Sequence, residues 1–169
     1  MTATADRHRP PLTGDERTLL TGFLDYHRAT IKVTCDGMSE PDSHRAMLPA
    51  PMKSAIDAVS HLRWDEHFWC EVVLAGRSKG APDTEPAPGN EFKPGPHTTL
   101  ARALADYDRQ CEVSRRILDG LDLDHEVSWH DRTVSVRWVL IRLLEETARH
   151  NGHLDAIREL IDGPGGGAG

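Results

Sequence analysis

Two pairs of polar side chains fall where a helical reading of the chain expects apolar ones. Glu146 and His150 stand four residues apart within SVRWVLIRLLEETARHNGHLDAIRELID, residues 135–162. Val136, Leu140, Leu143, Thr147, His150, Leu154, Ile157 and Ile161 recur there at alternating steps of four and three, the inner seam of a bundled helix. His150 is inside that seam and Glu146 lies one turn earlier, so the two leave one face about 5–6 Å apart at Cβ. The second pair is His61 and Asp65, on a stripe with Ala58, Phe68 and Val72. A carboxylate and an imidazole are costly to bury unless something satisfies them.

Two imidazoles and one carboxylate suit a catalytic zinc site that keeps its fourth position open. Nickel, iron or manganese accept the same donors. On spacing alone two readings stay open: a cation site, or a buried hydrogen-bonded network. Asp65 and His153 could orient a ligand, and His153, one turn beyond His150, could be a ligand itself. His27, on the inner stripe Leu20, Phe23, Ile31 and Thr34, reads first as a core histidine and second as a pocket residue. Trp64 and Trp69, flanking the His61 stripe, suit a helix interface or pocket wall, and Trp138 could shape the pocket. No HExxH motif, paired Glu-x-x-His segments or nucleophile elbow competes with this constellation.

Four helices must position these groups: from about Asp15 to Cys35, Met52 to Leu74, Thr99 to Asp119 and Ser135 to Asp162. Asp36-Gly37, Gly120 and Gly163-Pro164 end three of them, and Ser54 and Ser135 are cap residues. The pattern predicts an all-α four-helix bundle over residues 13–163, with a loose arm at 1–12 and a Gly-rich tail at 164–169. The stretch 37–51 reads as a connection and 122–134 as another, with a short extended piece near Glu126–Trp129. Residues 76–98 hold five prolines and four glycines. So long a loop suits a flap over the site or an unstructured segment. His67 falls opposite the inner stripe and reads as a surface residue.

Composition narrows the function classes. The 169 residues are 38% apolar and 28% charged, with a net charge of −7, as in an ordinary globular domain. The absence of a basic cluster speaks against nucleic acid and anionic membranes as partners. No apolar run is long enough to cross a bilayer, and MTATADRHRPPL lacks a signal region, so a cytoplasmic location is expected. Cys35, Cys70 and Cys111 are odd in number, widely spaced and read as reduced, buried thiols.

The run from Ser135 to Gly163, together with SAIDAVSHLRWDEHFW at 54–69, resembles the DinB superfamily of metal-binding helical bundles. Within it the chain is similar to the actinobacterial branch of mycothiol-dependent enzymes, including the N-terminal domain of maleylpyruvate isomerase. The resemblance implies an up-down-down-up bundle, often a homodimer, with a divalent metal held by His61, Glu146 and His150. It also places His153 where relatives carry glutamine, outside the ligand set. It implies a thiol S-transferase, with zinc as the first choice of metal and mycothiol as co-substrate for a small electrophile. The isomerase carries a second domain, for which this chain is too short. Two alternatives remain: a metal-dependent hydrolase, or a non-catalytic, dimeric, metal-binding helical stress protein. The last would close the site with four protein ligands, Asp65 or His153 being the fourth.

Overall fold

The structure is a computed structural model, and it describes residues 7–49, 53–77, 94–95 and 97–163. The proposed flap and the Gly-rich tail fall almost wholly outside these residues. Four long helical elements form the bundle: α1 (Glu16–Cys35), α3 (Ala55–Glu66), α4 (Leu100–Asp119) and α5 (Val136–Asp162). The five-residue α2 (Glu40–His44) lies in the connection that carried no apolar period, and it is held by its Ser39 cap.

Local chemistry explains where the helices start. Asp15, Ser54, Thr99 and Ser135 each accept a bond from a backbone N–H in the first turn. Ser54 and Asp57 complete a reciprocal capping box. The Glu40 carboxylate accepts from Leu100 N–H at 3.0 Å, tying α2 to the start of α4. At the far end of α5, Gly163 adopts φ 73°, a left-handed conformation that costs glycine little.

Contacts between elements give the helix directions. Arg137 meets Glu16 near the starts of α5 and α1, and Thr34 meets Asp155 near their ends, so these two run parallel. Arg17 at the start of α1 donates to Leu118 O at the end of α4, so α4 runs the other way. Ile56 clusters with Ile157, and Trp69 with Val139 and Leu140, which makes α3 antiparallel to α5. The bundle is therefore up-down-down-up. A two-stranded antiparallel hairpin, β1 (Glu126–Trp129) and β2 (Arg132–Ser135), leads into α5 and turns at His130 with φ 54°. The first strand matches the expected extended piece; the second was not read from sequence.

Two apolar clusters fill the interior. One gathers Ile31, Ile56, Leu62, Tyr107, Leu154 and Ile157; the other gathers Leu24, Trp69, Val73, Leu118, Leu140 and Leu143. Buried polar groups contributed by α1, α3 and α5, among them Arg28, His61, Asp65, Glu66, Glu146 and His150, occur at chain positions between the residues of these clusters. Cys35, Cys70 and Cys111 are free and buried, as expected, and burial pushes the Cys35 and Cys70 thiols up to about 12. They are poor nucleophiles at neutral pH.

Two helical faces differ from the sequence reading. On α1 the buried positions are Leu24, Arg28, Ile31 and Cys35, whereas Phe23 is 46% exposed and His27 half-buried. Arg28 draws the face round because its guanidinium pairs with buried Glu66. The α3 helix continues from His67 to Leu74 as a π-helix. The wider turn shifts the stripe by one residue after Asp65. Trp69 and Val73 are buried in place of the expected Phe68 and Val72. His67, expected at the surface, is only 4% exposed, with its Nδ1 at 3.1 Å from Glu71.

Candidate metal centre

Glu146 and His150 project together from the middle of α5 because four residues bring a side chain back to the same face. His61 reaches the same point from α3, which packs against α5. The His150 Nε2 atom lies 3.2 Å from Glu146 Oε2, and His61 Nε2 lies 3.5 Å from that same oxygen. The two imidazole rings meet edge to face with centroids 4.7 Å apart. The three donor atoms lie within 4.8 Å of one another, the one such cluster of three among the described residues. Exposure is 9% for His61, 6% for Glu146 and 1% for His150, so bulk water does little to screen them.

The electrostatics suit donors of electron pairs. Burial pushes His150 down to about 4, with neighbouring His61 adding to the effect. Burial also lowers His61, although the bond to Glu146 opposes it. Both rings are therefore neutral at pH 7 and each can present a lone pair. For Glu146 burial favours the neutral acid. Its bonds from Arg142 and His61 outweigh that and hold the carboxyl below its usual range. The result is one carboxylate and two neutral imidazoles with three donor atoms directed at one another. Such a set is compatible with a divalent cation.

The surrounding residues separate into those near the donors and those away from them. His153 is half-buried, and its Nδ1 lies 3.1 Å from His150 Nδ1. With His153 as acceptor, His150 carries its proton on Nδ1 and leaves Nε2 bare. Asp65 is 8% exposed, and its Oδ2 has no hydrogen-bond partner. Burial, reinforced by Glu146 and Glu66 and opposed by Arg142, pushes the Asp65 carboxyl up to about 7. His27 accepts from the Asn151 amide, which donates to His27 O at 3.0 Å, so it packs against the neighbour of His150. Trp64 leans on His67 with centroids 5.5 Å apart. Trp138 packs against Trp69 at 5.0 Å and is 43% exposed. It sits about 12 Å along the α5 axis from Glu146.

Arg142 was missed in the sequence. It bonds Glu146 Oε1 from one turn earlier on α5 and also reaches Glu145 at 3.1 Å. The available signal was its four-residue spacing from Glu146. Asn151 was also missed, because nothing local distinguishes it from a surface amide.

A four-helix bundle holding a buried His, Glu and His donor set defines a class of helical proteins with a candidate metal site at their core. More specifically, the chain belongs to the mycothiol S-transferase family, whose family model, described as mycothiol-S-transferase, matches residues 19–163. No curated protein matches it significantly. Among the described residues no helix is long and apolar enough to cross a membrane.

Proposed function

We propose that the protein transfers a low-molecular-weight thiol of the mycothiol type to an electrophilic small molecule, using a divalent cation held by His61, Glu146 and His150. Family membership supports the thiol chemistry. The observation that carries the cation is the convergence of one potential ligand atom from each of His61, Glu146 and His150 within 4.8 Å. Zinc is the first choice on donor type.

When bound, the cation would supply Lewis acidity that favours thiolate over thiol at neutral pH. The chain's own residues do the rest. His61 and His150 stay neutral because burial lowers their proton affinity, so protons compete weakly for their lone pairs. Glu146 supplies one negative charge against the two positive charges of the cation. His153 fixes the ring orientation of His150 through Nδ1. In the transfer, the S–H bond breaks and its proton passes to solvent, the sulfur pair forms a carbon–sulfur bond to the electrophile, and the leaving group departs as an anion with the pair of the bond it breaks. The free thiols of the chain do not compete, since Cys35, Cys70 and Cys111 are buried.

The test is conjugation of mycothiol to monobromobimane by zinc-loaded protein. Turnover above the spontaneous rate should require thiol and cation together. His150→Ala should lower it by roughly 100-fold or more, with stoichiometric zinc lost. Equal zinc content in wild type and His150→Ala would refute the ligand assignment. No conjugation with any of several thiols and metals would refute the transferase. Thiol-independent turnover that chelation abolishes would point to a hydrolase instead.

A further inference from the structure

A carboxylate can hold a cation through one oxygen or both, and the choice sets how many positions remain for a substrate. At Glu146 the two oxygens have different partners. Oε2 faces both imidazoles, 3.5 Å from His61 Nε2 and 3.2 Å from His150 Nε2. Oε1 points the other way, into the Arg142 guanidinium, with Arg149 Nη1 further off at 3.8 Å. The Arg142 side chain is 28% exposed, and its Nη1 atom meets both Glu145 Oε2 and Glu146 Oε1. Arg149 is 56% exposed and is occupied chiefly by Glu145.

We propose that Arg142 is a positioning residue: it occupies Glu146 Oε1 and so commits the carboxylate to one-oxygen binding through Oε2. This rests on the cation reading above and deepens it. The consequence is a three-coordinate protein set, two nitrogens and one oxygen, that leaves room for sulfur. Arg142 also places a positive charge behind the carboxylate. It offsets the charge that Glu146 would donate, which favours an anionic sulfur ligand over neutral water.

The experiment uses the full chain, with zinc affinity measured by competition against a chromophoric chelator and coordination by the visible spectrum of the cobalt(II) form. Neither readout needs turnover. Arg142→Gln should weaken zinc binding roughly 10- to 100-fold. It should also weaken the cobalt bands, because a freed Oε1 adds a fifth donor. Arg142→Lys should recover part of the affinity by keeping a donor on Oε1. Arg149→Gln should change it less than about threefold, as expected of an exposed ion pair. Wild-type affinity and an unchanged cobalt spectrum in Arg142→Gln would overturn the proposal. So would tighter zinc binding, which would make Arg142 a competitor for Glu146. If wild type binds zinc no better than His150→Ala, the cation reading fails and takes this inference with it. If only the Arg142 variants match wild type, the inference alone fails.

Discussion

Arg28 and Glu66 meet between α1 and α3 as a forked ion pair, Nε to Oε1 at 2.8 Å and Nη2 to Oε2 at 2.7 Å. Five residues earlier on α3, His61 meets Glu146 and His150 in an arrangement of the opposite kind. The first cluster sets donors against acceptors, and each buried charge has its counter-charge. Desolvation opposes the charge of Arg28, but Glu66 more than restores it. The second sets three acceptor-capable atoms towards one point, with the compensating Arg142 behind the carboxylate. A closed pair of this sort fixes how helices pack and leaves nothing to offer a ligand. An open set is a poor way to stabilise a fold and a good way to bind a cation. The difference teaches that burial of polar groups alone does not identify a site; the convergence of three potential ligand atoms does.

The closed cluster should be the more costly to break. Arg28→Ala strands the buried Glu66 carboxylate and should cost about 3–5 kcal/mol in urea unfolding. The double variant Arg28→Met with Glu66→Leu should recover most of that. If the single variant unfolds at the wild-type urea concentration, the pair does not hold α1 to α3.

The open cluster should respond to cation instead. Zinc at about 100 times its Kd should raise stability by about 2.7 kcal/mol. His150→Ala should lose this increment while its apoprotein stays folded. A zinc increment that survives in His150→Ala would place the cation elsewhere.

Asp65 sharpens the contrast. Its carboxyl is raised in the folded protein from 3.8 to about 7. The stability linked to it is fully present below pH 3.8 and lost as pH rises through about 7. Asp65→Asn should therefore stabilise the apoprotein at pH 8, by on the order of 2 kcal/mol. The gain should vanish towards pH 4, and a pH-independent gain would contradict the assignment.

The smallest effect comes from His150. Its folded proton affinity is depressed from 6.5 to about 4. The linked stability is present above pH 6.5 and lost as pH falls towards 4. Between pH 7 and pH 5 this contribution changes by on the order of 1 kcal/mol. The apoprotein of His150→Phe should lose less stability than wild type between pH 7 and pH 5. Identical slopes in the two would show that this imidazole is not shielded from protons.

The sequence determined what depends on near neighbours. Ser54 and Ser135 cap because a side-chain oxygen reaches an N–H three residues on, and Glu146 and His150 share a face because the helical repeat returns them to it. The α5 seam from Val136 to Ile157 is buried as the spacing demanded. The face of α1 was not legible in this way, because Arg28 is buried only through Glu66, a residue 38 positions away. Nor was the α3 stripe beyond Asp65, where the π-helical turn moved Trp69 inward and His67 with it.

The tertiary structure alone decided that His61 of α3 meets the α5 pair at an Oε2 atom, and that Oε1 turns to Arg142. Periodicity fixes the direction of a side chain from its own axis. Which lone pair meets which partner is fixed only when two axes pack, since that depends on helix rotation and separation, which no single stretch of chain encodes.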